Sequence, residues 1–147
     1  MKAMKLMTIF VLGGFIAACA KTETTVKQPE SKQVVTAPAQ STVYFAFDSS
    51  EIGPESRQII TGHSSFLAAN SGKQVRLEGH CDERGSREYN VGLGERRAQS
   101  VRRLMLFQGV ADNQMEPSSY GEERPAARGH NEAAWAKNRR VEVVYKN

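Results

Sequence analysis

The sequence predicts an α+β domain whose four strands form a mixed sheet packed against helices, preceded by a disordered tether. Four segments rich in β-branched and aromatic residues alternate with three segments of helical periodicity, in the order β-α-β-α-β-α-β. Strands separated by helices favour a helix-covered sheet. The segment before them is almost free of large apolar side chains, so it cannot bury enough surface to offset its chain entropy. We place the segment boundaries at 1–18, 19–41 and 42–147.

Residues 1–18 have the composition of a secretory signal peptide. Lys2 and Lys5 supply positive charge, an apolar run covers residues 6–16, and two alanines follow. The apolar run is about half of the ~20 residues that span a bilayer, so we do not expect a stable transmembrane helix. An ordinary signal peptide followed by an incidental Cys19 is one interpretation of this pattern.

The segment Ile16-Ala17-Ala18-Cys19 resembles a bacterial lipobox, which favours a second interpretation. The resemblance implies diacylglyceryl attachment to the Cys19 thiol, cleavage before it and acylation of the new amine. Several acyl chains make a stable membrane anchor. Ala20, in place of an aspartate, implies export to the outer membrane. We expect no cofactor apart from this covalent lipid.

Residues 19–41 are predicted to be a flexible linker. Thr, Lys, Gln, Ser, Ala and Pro dominate, and three valines are the only larger apolar residues. A flexible chain of this length has a typical reach of about 25 Å. Such a tether suits a domain that must be held away from a membrane.

The first strand and the first helix are predicted on either side of a polar break. Thr42–Phe47 is β-branched and aromatic, which indicates a strand. Pro54 suits the first turn of a helix, and apolar residues then recur at helical spacing until Asn70. His63 lies on this apolar stripe, where a core or boundary histidine is favoured over a metal ligand.

The remaining elements follow from the same signals. A second strand leads into a polar junction, and a long helical pattern then runs to Gly109, a suitable C-cap. A third strand, a short helix and a final strand complete the order. The predicted bounds are Gln74–Glu78, Tyr89–Gln108, Gln114–Tyr120, Asn131–Trp135 and Arg140–Tyr145.

The junction at residues 79–86 is followed by an arginine in an unusual position. At about 100° per residue, Arg97 falls in the middle of the apolar face of the long helix. That face consists of Leu93, Val101, Leu104 and Met105. An inward arginine needs an anionic partner, because an unpaired buried charge is very costly. Asp82 is one candidate partner, and an anionic ligand is the other.

Charge and motif content exclude several function classes. Without Lys2 and Lys5 the chain carries 18 basic and 16 acidic side chains, too even a balance for a nucleic-acid-binding protein. His80, Cys81 and Asp82 are adjacent, and neighbours at a strand end point to opposite sides, so they do not form a catalytic triad. The histidines show no zinc spacing. We therefore predict no catalysis, no metal site and no nucleic-acid partner.

Asp82 and Arg97 together are best explained as a binding pair. A carboxylate can hold an ammonium group, and a guanidinium can hold a carboxylate through two parallel hydrogen bonds. An amino-acid head carries both groups on one carbon and would satisfy both residues. A structural Asp82–Arg97 salt bridge is the alternative.

Several motifs resemble the OmpA-like peptidoglycan-binding domain family. The resemblance covers about residues 43–145, and Cys81 departs from it by standing where a small residue or threonine is usual. Met105 departs from it in a position where leucine is common. The matching segments are Gly79-His80-x-Asp82-Glu83-Arg84-Gly85, Tyr89-Asn90, Leu93-Gly94-Glu95-Arg96-Arg97-Ala98, Ser119-Tyr120-Gly121 and Asn138-Arg139-Arg140-Val141.

The resemblance implies a ligand, the meso-diaminopimelate of the peptidoglycan stem peptide, bound non-covalently. On the matching positions, Asp82 engages the ammonium and Arg97 the carboxylate of its free amino-acid head. Arg139 is interpreted as structural. The other pocket residues that the resemblance implies are Asn90, Leu93, Phe47 and Asp48.

The lipobox, the tether and two further segments are similar to the lipoprotein members of that family. The two segments are Tyr44-Phe45-x-Phe47-Asp48 and His130-Asn131-Glu132-Ala133-Ala134. This similarity implies an outer-membrane location facing the periplasm, binding to TolB and the Tol complex, and a role in envelope integrity and division. The alternative function is that of a peptidoglycan-cleaving enzyme. The sequence offers no convincing nucleophile or catalytic carboxylate pair for it.

Overall fold

The computed structural model describes residues 36–146. The predicted signal peptide, Cys19 and most of the predicted linker lie outside the described residues. Within the described part, no helix is both long and apolar enough to cross a membrane.

The described chain forms four strands and three α-helices in the predicted order. The strands are β1 (Thr42–Tyr44), β2 (Val75–His80), β3 (Met115–Gly121) and β4 (Arg140–Tyr145). The helices are α1 (Pro54–Ala69), α2 (Arg87–Phe107) and α3 (Glu132–Asn138), with a short 3-10 helix at Asp112–Gln114.

The strands form one mixed sheet in the order β1-β4-β2-β3, which confirms the predicted fold class. β4 runs antiparallel to both β1 and β2, while β2 and β3 are parallel. The parallel pair follows from the chain order, because α2 carries the chain from the end of β2 back to the start of β3. The end of β2 therefore lies next to the start of α2.

The first strand is shorter than predicted, ending at Tyr44 instead of Phe47. The backbone N–H of Phe45 still donates to Arg139 O at 2.9 Å. The carbonyl of Ala46 accepts from the side chain of Arg97 at 3.0 Å, not from a neighbouring strand. The chain therefore leaves the sheet early and turns toward α2.

Helix termini carry the side chains that capping requires. Ser86 is the N-cap of α2 and accepts from Tyr89 N at 3.2 Å. Asn131 caps α3 and accepts from Ala134 N at 3.0 Å. Gly109, predicted as the C-cap of α2, lies one residue beyond the observed cap with a φ of 92°, a conformation that glycine adopts without a Cβ penalty.

The hydrophobic core lies between the sheet and helices α1 and α2. Its centre includes Leu77, Val101, Met105 and Val141, all completely buried. His63 is also completely buried, with Nδ1 at 2.8 Å from the Tyr145 hydroxyl and Nε2 at 2.9 Å from Gln40 O. The prediction of a core histidine is confirmed.

Two glycines let α2 approach the sheet at the end of β2. A Cβ added to Gly79 would lie 2.0 Å from Gly94 O, and a Cβ added to Gly94 would lie 2.3 Å from Ser119 Oγ. Arg97 follows Gly94 by three residues, so it lies nearly one turn further along the same helix face. The glycine contact therefore sets the depth at which Arg97 enters the domain.

Candidate functional site

A cavity of about 190 Å³ opens where the end of β2, the start of α2 and the turn after β1 meet. All six predicted ligand residues line it, namely Phe47, Asp48, Asp82, Asn90, Leu93 and Arg97. Four further residues complete the lining, namely Cys81, Arg84, Gly85 and Tyr89. The structure thus brings the predicted set together, and ligand binding by that set stays a prediction.

Arg97 is completely buried and is held by backbone carbonyls. Its Nε donates to Ser49 O at 2.8 Å, Nη1 to His80 O at 2.9 Å and Nη2 to Ala46 O at 3.0 Å. None of the ion pairs formed within residues 36–146 includes Arg97. Burial lowers the pKa of Arg97 from its ordinary value, as expected for a desolvated cation.

Arg97 keeps donors for a further acceptor. A guanidinium has five N–H groups, and three of them donate to the carbonyls. Nη1 also lies 3.4 Å from Cys81 Sγ, a weak acceptor. One N–H on each terminal nitrogen is therefore available to a carboxylate, with the weak thiol contact given up in exchange.

Asp82 does not pair with Arg97, so the structural salt bridge considered as the alternative is absent from the described residues. The Asp82 side chain is 4% exposed and accepts from Arg84 at N (3.1 Å), Nε (3.1 Å) and Nη2 (2.7 Å). Nη1 of Arg139 donates to it at 3.3 Å. Burial tends to raise the pKa of Asp82, but the hydrogen bonds from Arg84 and Arg139 outweigh it, so the pKa lies below its ordinary value.

Two residues that the sequence did not assign to the site therefore reach Asp82. Arg84 also contacts two aromatic rings, with its Cζ atom 4.0 Å from the centroid of Phe47 and 4.1 Å from that of Trp135. Arg139, interpreted as structural, donates to Phe45 O at 3.1 Å and to Glu132 Oε1 at 2.5 Å. The spacing of two residues between Asp82 and Arg84 could have indicated their contact. No sequence pattern indicates that Arg139, 57 residues away, reaches Asp82.

Asn90 fixes the junction loop rather than leaving its amide nitrogen free. This buried side chain donates from Nδ2 to Asp82 O at 3.1 Å, Arg84 O at 3.2 Å and Glu122 Oε2 at 2.6 Å. Leu93, 6% exposed, is an apolar part of the cavity lining.

Phe47 and Asp48 are the exposed members of the predicted set. Phe47 is 58% exposed. Asp48 has a φ of 51°, which is uncommon for a residue other than glycine, and its carboxylate accepts from the Tyr89 hydroxyl. This turn therefore connects the segment after β1 to the first turn of α2 beside the cavity.

A family model described as the OmpA family matches residues 44–139. The chain belongs to the OmpA family. The peptidoglycan-associated lipoprotein of Pseudomonas aeruginosa is 53% identical over 105 residues, which are 71% of this chain and 62% of that protein. The peptidoglycan-associated lipoprotein of Pasteurella multocida is 48% identical over 71% of this chain and 70% of its own length. The family resemblance predicted from the motifs is confirmed.

Solved structures agree with this membership. The crystal structure of the peptidoglycan-associated lipoprotein from Burkholderia pseudomallei matches with a TM-score of 0.72 and 42% identity, covering 74% of this chain and 92% of that one. The C-terminal domain of Helicobacter pylori MotB matches with a TM-score of 0.68 at 22% identity, covering 75% of this chain and 86% of that one, and shows the same fold.

The OmpA family and the two Pseudomonas relatives, both named peptidoglycan-associated lipoprotein, confirm the prediction that the chain is not an enzyme. The name of these relatives describes association with peptidoglycan and not a reaction.

His80 lies on the sheet face opposite the cavity, whereas Cys81 and Asp82 both line the cavity, so the three side chains do not form a triad. The Cys81 thiol is buried near α2 and donates to Asn90 O at 3.2 Å. Burial raises the pKa of Cys81, which keeps the thiol protonated and weakly nucleophilic. His80 shares the opposite sheet face with Glu78 and stacks on Tyr120 at a centroid distance of 5.5 Å.

A cluster on that opposite face has ligand atoms close enough to bind a metal ion, but arginines already pair with its carboxylates. Ligand atoms of Glu78, His80 and Glu142 lie within 4.8 Å of one another. Arg76 Nη1 pairs with Glu78 at 3.0 Å, and Arg140 Nε pairs with Glu142 at 2.6 Å. A cation would have to compete with both arginines, so we assign no metal to this cluster.

Acidification is expected to destabilise the domain through His80. Burial lowers the pKa of His80 to about 4, and the positive charges of Arg140 and Arg124 act in the same direction. In the unfolded chain His80 binds a proton near pH 6.5, whereas in the folded chain it does so only near pH 4. The stability that neutral His80 contributes is therefore present above pH 6.5 and is lost as the pH falls from 6.5 toward 4. We expect a loss of about 1–3 kcal/mol, measured by urea unfolding at pH 7 and pH 4.5.

The variant His80→Gln should flatten this dependence. His63, whose pKa burial also lowers, would contribute to the slope that remains. So would the carboxylates whose pKa values lie below their ordinary values, namely Asp82, Glu83 and Glu116. An unchanged slope in His80→Gln would contradict the assignment.

Proposed function

We propose that the chain is an outer-membrane lipoprotein that binds peptidoglycan without covalent linkage and holds the outer membrane to the cell wall. The proposed ligand is the meso-diaminopimelate of the stem peptide, bound through its free amino-acid head. Named relatives that are peptidoglycan-associated lipoproteins support this proposal. The match spans 62% of the Pseudomonas aeruginosa relative, so the activity of the whole relative is carried over as part of the proposal.

The observation that carries the proposal is the buried Arg97 beside the cavity. Its charge has no ion-pair partner within the described residues, although its three carbonyl contacts partly compensate for lost water. A ligand carboxylate that enters the cavity would bring a full negative charge to a desolvated guanidinium. Charge-assisted hydrogen bonds of this type are stronger than neutral ones, so a carboxylate is the favoured ligand group.

Asp82 supplies the opposite charge in the same cavity. Its lowered pKa keeps it ionised at neutral pH, and an ammonium group can donate to a carboxylate oxygen. Leu93 and the ring of Phe47 offer apolar surface for the methylene chain between the two ends of diaminopimelate. The cavity therefore offers each chemical part of the ligand a partner.

The membrane and protein partners complete the proposal. A lipid on Cys19 would fix the chain to the outer membrane with the domain in the periplasm, and the linker would let the domain reach the wall. TolB and the Tol complex are the proposed protein partners, and the proposed role is support of envelope integrity and of outer-membrane invagination during division. For the anchor, Cys19→Ser should move the protein from the membrane fraction to the soluble fraction, and continued membrane retention would contradict it.

The wall-binding part is tested by cosedimentation with purified sacculi. Asp82→Asn keeps the shape of the side chain but removes the charge, and we expect binding about tenfold weaker, since hydrogen bonds to charged groups contribute roughly 1.5–3 kcal/mol. Asp112→Asn, an exposed aspartate paired with Arg102, is the control. Unchanged cosedimentation of a folded Asp82→Asn variant would contradict the site.

A further inference from the structure

The carboxylate of Asp82 is already occupied in the free protein. Three donors come from Arg84, and its Nη2–Oδ2 contact of 2.7 Å is the shortest of them. A ligand ammonium at this carboxylate would compete with the Arg84 guanidinium for the same oxygens. Binding at Asp82 is therefore an exchange of one cation for another.

We propose that Arg84 occupies the ammonium position at Asp82 in the free protein and moves to Glu132 when the ligand ammonium arrives. This inference rests on the proposed function, because it concerns the same cavity and the same ligand head. Arg84 thereby becomes a specificity-determining residue, which gives up Asp82 only to a ligand that brings a replacement positive charge.

The geometry offers Arg84 a second acceptor within a short distance. Arg84 Nη2 lies 3.8 Å from Glu132 Oε2 while it still bonds Asp82. The Glu132 side chain is 63% exposed, so it can adjust toward the arginine. A small rotation of the guanidinium transfers the ion pair from one carboxylate to the other.

The aromatic contacts allow this movement without exposing the guanidinium to a new environment. Phe47 and Trp135 lie on the guanidinium at 4.0 and 4.1 Å, and cation–π attraction depends on the stacking distance more than on the in-plane direction of the N–H groups. Arg84 can therefore turn toward Glu132 and keep both ring contacts.

Arg139 is not suited to make the exchange. Its side chain is 8% exposed, and it is tied to Phe45 O on one side and to Glu132 Oε1 on the other. Arg84 is 31% exposed and is followed by Gly85, whose φ of 106° marks a turn. The more exposed arginine is the one that can leave Asp82.

The exchange predicts which ligands the cavity accepts. A ligand with a carboxylate but no ammonium would satisfy Arg97 and leave Arg84 on Asp82. A ligand with both groups must displace Arg84, and removing Arg84 removes that competition. The effect of Arg84 should therefore depend on the amine of the ligand.

The test is isothermal titration of the folded chain with two stem tripeptides. One ends in meso-diaminopimelate, and in the other a hydrogen replaces the free amine. Arg84→Gln should bind the first peptide about fivefold tighter than the wild type, the scale of a partly exposed ion pair, and should show no gain for the second. The control Arg87→Gln, which loses an exposed pair with Glu123, should bind both peptides as the wild type does.

Glu132 provides a second and independent readout. Glu132→Gln should weaken binding of the diaminopimelate peptide about threefold more in the wild type than in Arg84→Gln, because the acceptor for Arg84 matters only when Arg84 must move. The contact of Glu132 with Arg139 is lost in both backgrounds, so it cancels in this comparison. Weaker binding of both peptides by Arg84→Gln, or an equal gain for both, would overturn the exchange while leaving the proposed function intact. If neither peptide binds the wild type or Arg84→Gln, the proposed function itself fails, and the exchange fails with it.

Discussion

Replacement of Gly79 by alanine is expected to lower the free energy of unfolding by about 3 kcal/mol or more, at the upper end of overpacking effects. The new Cβ would lie 2.0 Å from the carbonyl oxygen of Gly94, a backbone atom of α2 that cannot rotate away. The helix must shift from the sheet, and the shift would also move Arg97. Urea unfolding followed by circular dichroism measures the loss.

Gly72→Ala is the matched control for this substitution. A Cβ at Gly72 meets no atom within 4 Å, so this variant should unfold within about 0.5 kcal/mol of the wild type. Equal unfolding midpoints for Gly79→Ala and Gly72→Ala would show that α2 does not depend on the close approach.

Substitution of Arg97 by methionine is expected to have the largest effect on ligand binding. The variant removes the only completely buried guanidinium among the described residues that lines the cavity. We expect the affinity for a diaminopimelate stem peptide to fall about 100-fold or more, since truncating one partner of a buried hydrogen-bonded charge pair costs roughly 2–5 kcal/mol. Isothermal titration measures this loss.

Stability must be separated from binding in this variant. Arg97→Met leaves the carbonyls of Ala46, Ser49 and His80 without their arginine donor, which should also lower the unfolding free energy by a few kcal/mol. Arg97→Lys retains the charge with fewer donors and should bind with intermediate affinity. Arg103→Met, an exposed arginine on the same helix, should match the wild type. Wild-type affinity in a folded Arg97→Met variant would contradict the role of Arg97.

The helical period explains why much of the site could be predicted from the sequence. A spacing of 3.6 residues places Arg97 inward regardless of details elsewhere, and its complete burial agrees with that. The end of β2 and the start of α2 are adjacent in the chain, so Asp82 and Asn90 had to lie near one another. Positions predicted from local patterns of this kind agree with the structure because they depend on few distant contacts.

The partners of the charged residues could not be predicted in the same way. Arg97 is held by carbonyls of the turn after β1, including Ser49 O, and their directions depend on backbone angles such as the φ of 51° at Asp48. Arg139 reaches Asp82 from 57 residues away. No periodic pattern encodes such contacts, which the packing of β4 beside β1 creates.

The extent of β1 and the approach of α2 illustrate the same limit. The composition of residues 42–47 favours a strand throughout, yet the strand ends at Tyr44, and the Ala46 carbonyl accepts from Arg97 instead of from a neighbouring strand. The contact between Gly79 and Gly94 is likewise a property of two elements packed together. One glycine in a strand and another in a helix do not by themselves indicate that the two residues will be in contact.

The most direct test of the central claim compares two stem tripeptides that differ only at one group. One carries the free carboxylate at the amino-acid head of diaminopimelate, and the other carries an amide there. Because the claim is that Arg97 receives this carboxylate, we expect the amide to bind the wild type about 30-fold more weakly or worse, as loss of a charge-assisted contact implies. Equal dissociation constants for the two peptides would contradict it.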